Sequence, residues 1–143
     1  MRAIYTIHFE TEPPEADVRA IHDGLEAFNQ GHAPPHAHTP LNVIVRGEGG
    51  RVLGGLLGST FWGWLYVSVL WLDDAVRGQG LGTRLLGLAE DEARRRGCHH
   101  AFLDTTSFQA RPFYEKCGYR LWGQLDDFPL GHSRYFLQKP LTP

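Results

Sequence analysis

The sequence predicts an α/β fold of the α+β kind, built on a mixed sheet, and three observations carry that prediction. Three strand-like runs, Leu41–Val45, Arg51–Ser59 and Trp64–Leu72, succeed one another with short turns, which is the pattern of an antiparallel meander. The third run leads through a glycine-spaced turn into an amphipathic helix, and a strand pattern at His99–Thr105 comes after it. That order makes a parallel strand–helix–strand crossover. Two more strand patterns, Tyr119–Leu125 and His132–Gln138, close the chain.

From the N-terminus, Ala3–Phe9 alternates, with Ile4, Tyr5, Ile7 and Phe9, and reads as a first strand. Thr11–Pro14 is a turn and helix-start signal. From Glu15 to Gln30, Val18, Ile21, His22, Leu25 and Phe28 share one helical face, and Gly31 is the stop. The loop Gly31–Pro40 is rich in Pro and His. Gly47–Gly50 is a hairpin turn. In the central helix, Leu81, Leu85, Leu88 and Ala89 recur at helical spacing, acids and arginines fill the other positions, and Gly97 ends it. Ser107–Lys116 reads as a second short helix ended by Cys117–Gly118.

The 143 residues suit one domain, 1–143, with a sizeable core. Hydrophobic content of 42% against 21% charged residues excludes a disordered chain, and a net charge of −2 gives no electrostatic footprint for nucleic acid. No apolar run reaches the ~20 residues of a membrane span. The N-terminal stretch lacks an apolar signal-peptide core followed by a small-residue cleavage site. Two cysteines, Cys98 and Cys117, fit free thiols in a reducing compartment. A cytoplasmic enzyme suits all of this, as do many binding domains.

Two stretches carry chemistry. Arg77, Gly78, Gln79, Gly80, Leu81, Gly82 and Thr83 join the apolar strand to the helix. The first N–H groups of a helix lack intrahelical partners and its dipole is positive there, so such a turn can hold a phosphate. Glycines allow close approach of the backbone. A Walker loop needs Gly-Lys-Ser/Thr, and this turn has no Lys. A dinucleotide fingerprint needs Gly-x-Gly-x-x-Gly and an acid about 20 residues on; the glycines here alternate, although Asp104 stands near the second position. An ordinary glycine-rich turn is the bland alternative. The second stretch is Ser107–Tyr119, SFQARPFYEKCGY.

Arg-x-x-Gly-x-Gly in the first stretch resembles the coenzyme A pyrophosphate loop of the GCN5-related N-acetyltransferases (GNAT). The second stretch resembles that family's Asn-x-x-Ala-x-x-hydrophobic-Tyr-Glu-Lys-x-Gly-Phe/Tyr pattern, through Ala110, Phe113, Tyr114, Glu115, Lys116, Gly118 and Tyr119. The resemblance spans about residues 41–137. It implies a mostly antiparallel, twisted sheet of six to seven strands with about three to four flanking helices. It also implies N-acetyl transfer from acetyl-CoA to a primary amine by direct attack, with no metal. Leu70, Trp71 and Leu72 would offer backbone to the pantetheine arm, and backbone near them would polarise the thioester. Arg77–Thr83 would hold the pyrophosphate, and Tyr114 would protonate the departing thiolate.

Two departures from the pattern matter. Ser107 replaces the family's Asn, and it can still hydrogen-bond coenzyme A with a shorter reach. Phe102 stands where some members carry a glutamate base. Candidate acceptor-site residues are His36 and His38 in the Pro/His loop, Tyr66 on the central strand, and His132 in the last hairpin. Solvated histidines and a core tyrosine are the plain alternatives. His36-x-His38 lacks evident further ligands for a metal. A small amine is favoured as acceptor, because no long charged groove is evident. A protein N-terminus or lysine, or a non-enzymatic acyl-CoA sensor, are the alternatives. Relatives that pair through late strands make a homodimer compatible with Tyr135–Phe136.

Overall fold

Six strands form one sheet in a computed structural model, which describes residues 2–142. The chain divides into two compact units, Met1–Pro35 and His36–Pro143. In the first unit, helix α1 spans Glu15–Gln30, between Pro14 and Gly31 as its sequence predicts. The strand expected at Ala3–Phe9 does not form: residues 2–10 carry no regular structure. Alternation makes a strand only where a partner supplies the ladder.

The second unit holds β1 (Thr39–Arg46), β2 (Val52–Phe61), β3 (Trp64–Leu72), α2 (Leu81–Arg95), β4 (His100–Thr106), α3 (Arg111–Lys116), β5 (Arg120–Asp126) and β6 (Ser133–Pro140). The strand order is β1-β2-β3-β4-β6-β5. Strands β3 and β4 pair in parallel; the other pairs are antiparallel. Six strands and three helices agree with the mostly antiparallel sheet that the resemblance implies. Strand β1 begins at Thr39, inside the stretch read as loop; it is an edge strand, where Pro40 is tolerated. Helix α3 begins at Arg111 rather than Ser107, because residues 107–110 turn before Pro112 sets the first helical turn.

The core lies between the sheet and α2. Leu85, Leu86, Ala89 and Ala93 of the helix meet Leu56, Leu65, Val67, Leu103 and Leu137 of the strands. The two alanines are fully buried, which brings the helix close to the sheet. One irregularity in β3 changes which residues face the helix. Leu57 faces Val69 and Gly58 faces Val67, so Ser68 is an extra residue, a β-bulge. A Cβ at position 58 would collide with the Tyr66 carbonyl oxygen. Before the bulge Leu65 and Val67 face the helix; after it Leu70 and Leu72 do. Unbroken alternation would have buried Val69 and Trp71, which are 47% and 48% exposed. Ser68 Oγ donates to the Leu57 carbonyl across the bulge.

Two polar clusters brace α2. Arg96, just past its end, donates to the Pro40 carbonyl at 3.0 Å and to Thr60 Oγ1 at 3.1 Å. It is therefore a tie to the sheet and more than a charge at the helix terminus. Glu90 is buried, accepts from Tyr119 Oη at 2.8 Å and pairs with Lys139 Nζ at 2.9 Å. Lys139 also donates to the Cys117 carbonyl at 2.8 Å. Both cysteines are free thiols, and burial pushes both pKa values up. Among the described residues no helix is long and apolar enough to cross a membrane.

Candidate active site

Strands β3 and β4 pair only from Trp64/His100 to Val67/Leu103. Beyond that point β4 continues along β6, with Asp104 opposite Phe136 and Thr106 opposite Arg134, while β3 continues along β2. The sheet is therefore split. From Ser68 to Leu72, β3 has a ladder on one side only, and its other edge faces the gap. Leu70, Trp71 and Leu72 lie on that edge.

The glycine loop begins where this edge ends. Asp73 caps a short turn by accepting from the Ala75 N–H at 2.9 Å. Arg77 folds back, donating from Nε to the Leu72 carbonyl at 2.8 Å and pairing with Asp74 at 2.6 Å. That fixes the loop to the end of β3. Gly78 and Gly80 both have left-handed backbones, φ 75° and 76°, and a Cβ at either would meet nothing within 4 Å. Open space and strain-free left-handed turning thus coincide where the helix begins. The first α2 bond runs from Arg84 N to the Gly80 carbonyl, which leaves the Leu81, Gly82 and Thr83 N–H groups without acceptors of that kind. Gly82 has a different reason to be glycine. A Cβ there would sit 3.1 Å from the Phe113 ring, so it seats α2 against α3. Gln79 lies between the two left-handed glycines.

A bulky side chain at position 80 tests the loop. Gly80→Leu should cost about 1–2 kcal/mol through the left-handed backbone, leaving a folded protein. Its Cβ would project into the open space, and titration calorimetry should show acetyl-CoA binding abolished. Unchanged affinity would falsify the placement of a pyrophosphate at this turn.

Tyr114 on α3 is 7% exposed and contacts Phe113 and Tyr119 edge-on, at 5.2 and 6.1 Å. Burial, with smaller contributions from Cys117 and Asp104, pushes its pKa up to about 12. It is a fully protonated phenol at neutral pH. The structure brings Ser107 and His132 together: Ser107 Oγ lies 3.2 Å from His132 Nδ1 and accepts from the Ser133 N–H at 3.0 Å. These two residues link the end of β4 to the start of β6. Phe108 packs edge-on to His132 at 5.1 Å.

Tyr66 lies on the sheet face opposite α2. Its ring stacks on Phe102 at 4.8 Å, and its hydroxyl stands 3.5 Å from Asp104 Oδ2. Burial and the Asp104 carboxylate raise its pKa. Asp104 Oδ1 accepts from Arg134, at 2.9 Å from Nε and 2.7 Å from Nη2. Arg134 is sandwiched against Phe128 and Phe136. Two positions further along β4, Thr106 Oγ1 is the one buried side-chain polar atom without a hydrogen-bond partner among the described residues. Asp104, Thr106 and Arg134 are candidate site residues that the two acetyltransferase-like motifs do not mark. Alternation from Phe102 is the available signal, since it puts both Asp104 and Thr106 on one face.

His36 and His38 are not isolated in a loop. Their rings pack on Phe61, at 5.1 and 5.8 Å, and His36 also meets Trp62 at 4.5 Å. Phe61 meets Phe102, which ties this wall to Tyr66 through ring contacts. No group of three or more metal-type side chains occurs among the described residues.

A sheet split beside a free strand edge, with a glycine turn and helix start at the end of that edge, is the arrangement expected of the acyltransferase class that the resemblance implies. The chain belongs to the acetyltransferase (GNAT) family, whose model matches residues 1–119. It is 40% identical over 121 residues to "Acetyltransferase Atu2258" of Agrobacterium fabrum, covering 85% of this chain and 88% of the relative. It is 45% identical over 106 residues to "Blasticidin-S acetyltransferase" of Streptomyces morookaense, covering 71% and 78%. A crystal structure of an acetyltransferase from Bacillus cereus superposes with a TM-score of 0.84 at 32% identity, over 96% of this chain and 99% of that one.

Proposed function

We propose that this protein transfers the acetyl group of acetyl-CoA to a primary amine of a small cationic molecule. The observation that carries the reading is the end of β3–β4 pairing at Val67/Leu103, which opens a cleft beside the Ser68–Leu72 edge. The unpaired edge and the open, left-handed glycines fit a pantetheine arm and a pyrophosphate. Bound there, acetyl-CoA supplies an activated acetyl thioester. The free β3 backbone binds the arm as an added strand and aims N–H groups at the carbonyl. The Leu81–Thr83 N–H groups and the helix dipole hold the phosphates. Asp104 Oδ2, the oxygen not taken by Arg134, holds the acceptor as an ammonium. After that group sheds a proton to water, its nitrogen attacks the acetyl carbon. As the C–S bond breaks, the nitrogen releases a second proton to water to leave the amide. Tyr114 Oη gives its proton to the departing sulfur and recovers one from solvent. Ser107 and His132 border the same gap from the β4–β6 side.

The blasticidin-S relative, named for an antibiotic, supports a small acceptor. A thiol-release assay with acetyl-CoA and a panel of small amines, antibiotics among them, is the test. Turnover above hydrolysis with at least one amine is expected. Acetyl-CoA binding without turnover for any amine would leave a sensor in its place.

A further inference from the structure

The face of the sheet opposite α2 carries a cavity of about 510 Å³, within the range of small-molecule sites. It is lined by Phe61, Trp62, Trp64, Phe102, Trp122 and Gln138. Five of the six lining residues are aromatic, and none carries a formal charge. Trp64 and Phe61 each meet Phe102 edge-on, at 5.8 and 6.2 Å, so the walls are held by one another. Trp62 and Trp122 are 46% and 59% exposed, large apolar surfaces left at the rim. Gln138 pairs with Phe102 through the backbone, and its amide makes no side-chain hydrogen bond among the described residues.

We infer that this cavity is the acceptor's ring subsite: it takes a flat aromatic or heteroaromatic ring, stacked on the tryptophans and read at its edge by the Gln138 amide. The inference deepens the proposed amine acetylation and rests on it for the amine's position. Phe102 and Asp104 are two residues apart on one strand and one face, about 7 Å at a strand's rise. Phe102 walls the cavity and Asp104 stands where the sheet splits. An acceptor with its ring against Phe102 and a short arm therefore delivers its amine to the split. Stacking needs only π-faces, and the unspent amide donor and acceptor of Gln138 select a ring that carries heteroatoms.

Trp62, Trp64 and Trp122 are three of the four tryptophans, so intrinsic fluorescence reports occupancy without catalysis. The probes are 3-(2-aminoethyl)pyridine, 2-phenylethylamine and 2-cyclohexylethylamine, titrated into the full chain without acetyl-CoA. The pyridine should bind about ten-fold more tightly than the cyclohexyl compound, the scale of one stacked ring. Trp122→Ala should erase that margin and Trp122→Phe should restore most of it. Gln138→Leu should abolish the preference of pyridine over phenyl. Acetyl-CoA affinity in each variant verifies the fold. Equal binding of flat and saturated rings overturns the inference, as does a margin that survives Trp122→Ala. Thiol release separates this inference from the proposed function. Ring preference with no amine turned over sinks the transferase reading and leaves the ring subsite standing. Turnover without ring preference does the reverse.

Discussion

Tyr114→Phe should lower turnover by about 10²-fold or more, the scale of a removed general acid, while acetyl-CoA affinity holds. The substitution keeps a ring that is 7% exposed among Phe113 and Tyr119. Stability should therefore fall by no more than the ~1 kcal/mol of a lost hydrogen bond. The loss belongs in kcat, because the glycine loop and the β3 edge are untouched. It should be largest for acceptors whose reaction is limited by thiolate departure. With its pKa pushed up to about 12, the phenol in the free protein stays protonated well beyond neutral pH. Tyr114 should thus impose no fall in kcat/KM below about pH 10, the ordinary tyrosine pKa. A variant that keeps more than half the parent turnover on a good acceptor would make Tyr114 a core aromatic. The sulfur would then leave unprotonated or take its proton from water.

Glu90→Ala should cost about 3–5 kcal/mol, as expected when one member of a buried ion pair is removed. Glu90 is 5% exposed, and its two oxygens serve Tyr119 and Lys139 separately. Its loss leaves the Lys139 ammonium with the Cys117 carbonyl and strands the Tyr119 hydroxyl in the core. The melting temperature should drop by roughly 10 °C for a chain of this size. Replacing the pair together, Glu90→Leu with Lys139→Met, should cost less than Glu90→Ala alone, because no charge is then left buried. Thermal denaturation of the single and double variants decides this. A single-variant loss under about 1 kcal/mol would mean that water reaches the pair and screens it.

Much of the fold is legible because it is local. Strand β3 runs from Trp64 to Leu72, as its apolar, β-branched and aromatic run predicts. Helix α2 starts within the glycine turn, and α1 keeps the limits set by Pro14 and Gly31. The strand expected at Ala3–Phe9 fails because alternation alone is not sufficient. A second difference lies inside a correctly placed strand: alternation puts Tyr66 and Ser68 on one face, but the bulge at Ser68 resets the pattern. Gly58, eleven residues before Val69, is what permits that bulge, and a strand's own pattern does not reveal its partner's glycine.

The sequence by itself determined the strand–glycine turn–helix unit, the tyrosine motif on α3, and hence the family. Those features depend on backbone conformations and spacings within about thirty residues, which propensity and periodicity encode directly. Tertiary structure alone decided where the sheet splits, that Ser107 meets His132, and that Asp104 divides its oxygens between Arg134 and the Tyr66 hydroxyl. It also assembled a ring-lined cavity from β2, β3, β4, β5 and β6. Those contacts join residues far apart in the chain, and their register depends on which strands pair and where a bulge falls. Such pairing is settled by packing of the whole sheet against α2, so no single stretch of sequence carries it.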